Sequence, residues 1–246
     1  MEASSLSQFY PIALKEMNSV SLLKRVDTKF LTTESKLLEF LPSLEKDYRV
    51  LEVGENRLMN YSTLYFDTED LKAYSDHHNG KAKRQKIRMR KYIDSDLCFL
   101  EIKEKQNLGM TNKTRCTIAD LETTLSTKSK KFIKKATNKD LVLKPILYNY
   151  FQRFTLVNTQ RSERVTIDSC LNYKTDDKTK ELQNIVVIEV KQEKQNLQTP
   201  ICKALKTNKI RTSSFSKYCI GVANLFKDIK ANQFKELNLK INKLTN

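Results

Sequence analysis

Apolar and polar positions follow two different periods along this chain. Helical spacing predicts helices at residues 5–24 and 33–45 near the start, and from about residue 48 the apolar positions recur at every second residue, as in half-buried strands. Strands are predicted at 48–53, 61–66, 83–92, 97–105, 111–118, 150–157, 163–173 and 184–193. Further helices are predicted at about 68–76, 120–136, 139–149, 197–207, 214–227 and 231–244. This order predicts an α+β fold around a large antiparallel sheet.

The chain shows no internal repeat and no linker rich in Pro, Gly or Ser. We therefore expect a single domain over residues 1–246, with a core over about 8–228 and a C-terminal helix over about 231–246.

The polar faces of the predicted strands carry cations. Lys86, Arg88 and Arg90 share one face of their strand, and Ile87 and Met89 share the other. Cations alternate with apolar residues in the same way at Lys103, Lys113, Arg115, Arg153, Arg164 and Lys191. A solvated outer face is the simpler interpretation of any one strand. Like charges on neighbouring strands repel each other, however, so the repetition also favours an inward-facing cationic tunnel that needs a polyanionic guest.

Acidic residues lie among these cations, at Asp27, Glu101, Asp168 and Glu189. They can pair with neighbouring Arg and Lys side chains, which is the preferred interpretation for Asp168, or hold a hard divalent cation against phosphate oxygens. Glu189 is the best placed for a metal, because the strand around it is strongly apolar.

Composition adds an overall positive charge. The 246 residues include 45 Lys and Arg against 29 Asp and Glu, a formal net charge of +16, which indicates an anionic partner: nucleic acid, an acidic membrane or phosphates. No apolar run approaches the ~18 residues of a membrane helix, and no secretory signal is recognisable. Five widely spaced cysteines without a C-x-x-C pair are typical of reduced thiols in a cytoplasmic protein.

Several chemistries find no support in the sequence. Neither phosphate-binding glycine motif is present, and the only two histidines, His77 and His78, are expected in a loop before Asn79-Gly80 rather than at a metal. A lysine run between residues 128 and 139 is most simply a solvated helix face. The strand aromatics are expected mostly on the apolar face and Trp is absent, so specific nucleic-acid binding is not expected.

Nine short segments, in order, resemble one known family. They are Arg25–Phe30, Thr63–Thr68, Lys86–Tyr92, Phe99–Lys103, Lys113–Arg115, Gln152–Phe154, Glu163–Asp168, Val187–Lys191 and Ser214–Tyr218. Together they resemble the VTC-type polyphosphate polymerase domain of the triphosphate tunnel metalloenzyme (CYTH-like) superfamily. The resemblance spans about residues 8–228 and suggests a stand-alone, bacterial-like form without the further domains of the eukaryotic complexes.

The resemblance implies a closed, eight-stranded antiparallel β-barrel tunnel with helices packed outside. It implies transfer of the γ-phosphoryl group of ATP onto polyphosphate with Mn²⁺ or Mg²⁺, so ATP, orthophosphate and polyphosphate are the expected partners, and a membrane protein stays open as a further one. The catalytic residues implied are Arg88, Arg90, Lys103, Arg153 and Arg164. The substrate-binding residues implied are Arg25, Lys29, Lys86, Lys113, Arg115, Lys191 and Lys217.

Glu189 falls on the metal-binding glutamate of the family, and Asp27 is the second metal candidate. The chain departs from the pattern at two positions. Asp27 belongs to R-x-D-x-K where other branches have E-x-E-x-K, and Ser214 stands where a second lysine accompanies Lys217. Two alternatives stay open: a triphosphatase that uses the same tunnel, with water as the acceptor, and a non-catalytic polyanion-binding protein.

Overall fold

The computed structural model describes residues 3–17, 25–106, 111–158 and 160–245. Within these ranges eleven strands form one sheet: β1 (Pro11–Ala13), β2 (Val26–Thr33), β3 (Arg49–Glu52), β4 (Met59–Asp67), β5 (Arg84–Tyr92), β6 (Leu97–Lys105), β7 (Thr111–Ile118), β8 (Lys144–Asn158), β9 (Glu163–Lys174), β10 (Thr179–Leu182) and β11 (Ile185–Gln192). The α-helices are α1 (Glu34–Phe40), α2 (Lys72–His78), α3 (Thr127–Thr137), α4 (Pro200–Thr207), α5 (Lys217–Leu225) and α6 (Lys235–Thr245). Short 3₁₀ helices cover Ala3–Leu6, Leu41–Leu44, Ile93–Ser95 and Asn232–Phe234.

The sheet is antiparallel along its main path, in the order β2-β11-β9-β8-β4-β5-β6-β7. The α+β class is therefore confirmed, but the closed, eight-stranded barrel is wrong in two respects. Three short strands, β1, β3 and β10, add to the eight of the path, and within the described residues β2 and β7 do not pair with each other. Within the described residues β7 is an edge strand, and it is exposed along most of its length. It carries Lys113 and Arg115, and such charges help to prevent an edge strand from pairing with another chain.

The sheet curls, so that the two ends of the strand path approach each other across a concave space. Lys103 on β6 lies within electrostatic reach of Lys29 on β2 and Glu189 on β11, although these strands stand near opposite ends of the path. The convex face is apolar and is covered by helices, as expected. One buried cluster joins it to α1, α4 and the Leu41–Leu44 turn, and another joins it to α3 through Ile133.

Helix α5 departs from the expectation that all helices pack outside the strands. Its residues Tyr218 and Val222 are buried in a cluster with Tyr65, Phe151 and other residues of the concave face. Gly221 permits this approach, because a Cβ atom there would lie 2.6 Å from the ring of Tyr173. Together with α2 and α6, α5 therefore covers one end of the concave space.

Most predicted strands and helices are confirmed to within a few residues, but three local predictions are wrong. The helix at 5–24 is replaced by a 3₁₀ turn and β1, because Ile12 is buried between exposed neighbours; residues 18–24 lie outside the described residues. The helix at 139–149 is absent: β8 begins at Lys144, and from there pairing with β4 outweighs the helical spacing of the apolar residues. His77 and His78 lie in the last turn of α2 rather than in a loop, and His78 is buried. Among the described residues, no helix has the length and apolar composition needed to cross a bilayer.

Candidate active site on the concave face

Strand register brings the predicted site residues onto the concave face. On one wall, Lys29 of β2 stands opposite Glu189 of β11, and Lys191 stands between Asp27 and Arg164. On the other wall the rungs are Lys86–Lys103–Lys113 and Arg88–Glu101–Arg115, across β5, β6 and β7. Arg90, Arg153 and Asp168 share this face. Lys217 reaches it from the first turn of α5, and Arg25 pairs with Asp27 just before β2.

Three buried or half-buried carboxylates each hold two cations. Glu189 lies 2.5 Å from the Nζ of Lys29 and 2.8 Å from that of Lys191. Burial alone would raise the pKa of Glu189, but the two lysines outweigh it and hold that pKa well below its usual value. The carboxylate therefore stays ionised, and its cluster keeps a net charge of +1.

The other two carboxylates repeat this arrangement. Asp168, 3% exposed, accepts hydrogen bonds of 2.5 and 2.8 Å from the guanidinium of Arg153 and also pairs with Lys217, as expected for this residue. Glu101 pairs with Arg88, at 2.7 Å, and with Lys113. In both acids the neighbouring cations overcome the effect of burial and lower the carboxyl pKa.

A second set of cations has no carboxylate partner among the described residues. Arg90 is 6% exposed, and in the described part of the chain it donates only to the hydroxyl of Thr63, at 3.3 Å, while Nε of Arg164 has no hydrogen-bond partner there. The pKa of Lys103 is lowered, chiefly because the concave walls desolvate its ammonium group. Such unpaired cations attract a ligand with several anionic oxygens.

Four further site lysines also have a depressed pKa. Burial lowers the pKa of Lys86, Lys113, Lys191 and Lys217 to about 8 in each case. Lys86 also donates to the Nδ1 of His77, at 2.6 Å, and to the Ser216 hydroxyl, at 2.8 Å. Burial lowers the pKa of His77 to about 3, so its ring is neutral and can accept this hydrogen bond. Sequence reasoning missed His77, since only the fold brings α2 against β5.

A pair of stacked aromatic rings contacts two of the site arginines. The rings of Tyr61 and Phe151 stack at 4.9 Å, and the guanidinium groups of Arg90 and Arg153 lie 5.3–5.6 Å from their centroids. Lys217 lies 4.6 Å from the centroid of Phe151. The expectation that strand aromatics lie mostly on the apolar face is thus wrong for this region: Tyr61, Tyr65, Tyr92, Phe99 and Phe151 all share the concave face. The sequence held a signal for three of them, because Tyr92, Phe99 and Phe151 each stand two residues from Arg90, Glu101 or Arg153 and so share their face.

The carboxylates of this site could bind a divalent metal only if phosphate oxygens of the substrate supplied further ligands. Among the residues described, no group of three or more His, Cys, Asp and Glu side chains could hold a metal alone. Glu189 is ionised, and Asp27 lies one rung away on the same face. One or two carboxylates completed by phosphate oxygens are a usual Mg²⁺ donor set. A cavity of about 250 Å³ lies beside Asp27 and Lys29 and is lined further by His77 and the serines of the 213–216 segment.

Comparison with known proteins places this geometry in a family. None of the curated proteins matches the chain. Among solved structures, a candidate adenylate cyclase from Bacillus halodurans shares 14% identity at a TM-score of 0.50, covering 83% of this chain and 98% of the other, and this likeness concerns the fold alone. A candidate adenylyl cyclase from Hippeastrum, described as having a dominant triphosphatase activity, shares 13% identity at a TM-score of 0.48 over 83% and 98% of the two chains. The family model of the VTC domain matches residues 24–226. The chain therefore belongs to the VTC domain family.

Proposed function

We propose that this protein is a polyphosphate polymerase that transfers the γ-phosphoryl group of ATP to the end of an inorganic polyphosphate chain. The observation that carries the proposal is a set of cations on three strands of one concave face that have no carboxylate partner among the residues described: Arg90, Arg164 and Lys103. A linear triphosphate offers negative oxygens along its whole length, and a wall of separate cations suits it better than a single cation would. Membership of the VTC domain family supports the same substrate class.

In the proposed reaction the protein positions phosphates and neutralises their charge. Arg88, Arg90, Arg153, Arg164 and Lys103 hold the triphosphate, and a terminal oxygen of the polyphosphate chain attacks the γ-phosphorus. The bond between that phosphorus and the bridging oxygen to the β-phosphate breaks, so ADP leaves and the chain gains one unit. The attacking oxygen is already ionised, and therefore the transfer needs no catalytic histidine.

A divalent cation would be held by Glu189, with Asp27 as the second candidate, together with phosphate oxygens. It would neutralise charge on the transferred group. Lys29 and Lys191 now pair with Glu189, so we expect them to turn from the carboxylate towards phosphate oxygens when the substrate binds. Lys86, Lys113, Arg115, Lys217 and Arg25 would hold the rest of the polyanion.

A triphosphatase is the second candidate, and one feature of the fold favours it. Helices α2, α5 and α6 cover one end of the concave space, whereas a long polymer needs a way out. Hydrolysis releases short products, which can leave by the side through which the substrate entered. Helix α5 therefore bears directly on the choice of acceptor.

The product formed from ATP decides between these activities. Purified protein is supplied with ATP and Mn²⁺, and with Mg²⁺ in parallel, and polymer is measured by the shifted fluorescence of DAPI before and after exopolyphosphatase treatment. Polymer with equimolar ADP is expected. Orthophosphate without polymer would overturn the polymerase in favour of the triphosphatase. Tight tripolyphosphate binding with no turnover under any metal would instead indicate a non-catalytic polyanion-binding protein.

A further inference from the structure

Two half-buried aromatic rings lie beside the unpaired cations of the concave face. Tyr92 ends β5 and Phe99 lies on β6, with their centroids 5.8 Å apart in an edge-to-face arrangement. Phe99 stands directly opposite Arg90 in the strand register. The guanidinium of Arg115, from β7, lies 4.6 Å from the centroid of Phe99. Tyr92, Phe99 and Arg115 thus form an aromatic and cationic patch on one wall.

This patch differs from the buried aromatic pair next to it. Tyr61 and Phe151 are almost fully buried, and their faces support the guanidinium groups of Arg90 and Arg153. Phe99 and Tyr92 remain partly open to the concave space, and Arg115 is exposed. Aromatic surface kept open in a polar, cationic cleft is unfavourable in water and becomes favourable when a flat ligand covers it.

We propose that Phe99, Tyr92 and Arg115 form a stacking platform for the base of a purine nucleoside triphosphate. The proposal deepens the proposed function and rests on it, because the triphosphate has to lie on the cations beside the platform. Neighbouring strands are about 4.8 Å apart, so a base on Phe99 leaves its phosphates within reach of Arg90 and Arg88. A base stacks on an aromatic ring or a guanidinium plane whatever its hydrogen-bonding edge. The platform should therefore favour the binding of nucleotides over free tripolyphosphate, and it should discriminate only weakly between ATP and GTP.

Paired binding measurements on Phe99→Leu test this platform. Isothermal titration compares a non-hydrolysable ATP analogue with tripolyphosphate, and tripolyphosphate binding also shows that the variant is folded. We expect about tenfold weaker binding of the ATP analogue, the usual size of a lost base stack, with unchanged binding of tripolyphosphate. Tyr150→Leu is the matched control. Tyr150 is exposed on the opposite side of the sheet from the concave face, where it stacks on Tyr148 with the ring centroids 6.0 Å apart. It should change neither affinity.

A fluorescent variant gives a second and direct measurement. The chain contains no Trp, so Phe99→Trp places the only Trp at the platform and keeps a stacking surface there. Its emission should be quenched by the ATP analogue and by GTP, but much less by tripolyphosphate. Equal losses for both ligands in Phe99→Leu, or no loss for the nucleotide together with no quenching in Phe99→Trp, would overturn the platform. A wild-type protein that does not bind tripolyphosphate would overturn the proposed function as well.

Discussion

Asp168 balances the charge of two cations at the centre of the concave face, and its neutralisation is the sharpest test of that balance. The carboxylate is 3% exposed, receives both hydrogen bonds of the Arg153 guanidinium and pairs with Lys217. Asp168→Asn keeps the shape of the side chain and removes its charge. Two buried cations then lose the carboxylate that, within the described ranges, is the only one at ion-pair distance from either of them.

The expected cost follows from this burial. Breaking a buried ion pair by removing one partner costs about 3–5 kcal/mol. In a protein of this size each kcal/mol shifts the melting temperature by about 2–4 °C, so Asp168→Asn should melt about 6–20 °C below the wild type. The same change frees Arg153 and Lys217 to bind an anion. Tripolyphosphate should therefore bind the variant more tightly than the wild type. At about 100 times its Kd for the variant, it stabilises the variant by about 2.7 kcal/mol.

Thermal unfolding with and without tripolyphosphate measures both effects. Asp140→Asn is the matched control, since the side chain of Asp140 is 83% exposed and pairs with Lys134 at the surface; its melting temperature should change by less than about 2 °C. The reasoning is refuted if Asp168→Asn melts within that same margin of the wild type. It is also refuted if tripolyphosphate stabilises the variant less than the wild type.

Three further predictions concern the metal, the lysines and α5. Glu189→Gln should abolish turnover of ATP with Mn²⁺, because it removes the proposed metal ligand. Tripolyphosphate should still bind, because Lys29 and Lys191 lose only the carboxylate that they share. Unchanged turnover would show that Glu189 does not hold the metal. The site lysines with a pKa of about 8 lose charge as the pH rises through that value, so affinity for a non-hydrolysable ATP analogue should fall between pH 7 and 9.5, and a constant affinity in titrations would contradict this. Gly221→Leu should lower the free energy of unfolding in urea by about 1–3 kcal/mol through overpacking against Tyr173, and an unchanged midpoint would show that α5 can move aside.

The cationic wall could be predicted because it needs only the local period of a strand. Residues two apart share a face whatever the rest of the chain does, so Arg88 and Arg90 were assigned correctly to one surface. The same rule could not assign partners. Tyr61 and Phe151 are 90 residues apart along the chain, and their stacking depends on the register between β4 and β8. His77 contacts Lys86 only when α2 packs on β5.

Long-range packing also explains the predictions that failed. Leu143 and Leu147 have helical spacing, but β8 begins at Lys144, and Leu147 pairs with Tyr65 of β4. The helix predicted at 214–227 is confirmed by α5, but the sequence did not indicate which face of the sheet this helix covers. Gly221 was a local signal for close approach, although its partner, the ring of Tyr173, could not be read from the sequence.

The arrangement of carboxylates explains how this protein can keep so many cations on one concave face. Glu101, Asp168 and Glu189 each hold two cations, which fixes the side chains in place and leaves a net charge of +1 in each cluster. Full pairing would remove the attraction for a polyanion, while no pairing would cost several kcal/mol for each buried cation. A ratio of two cations to one carboxylate lies between these limits. This ratio keeps the folded chain stable without substrate. The positive charge that the carboxylates do not neutralise remains available to bind phosphates.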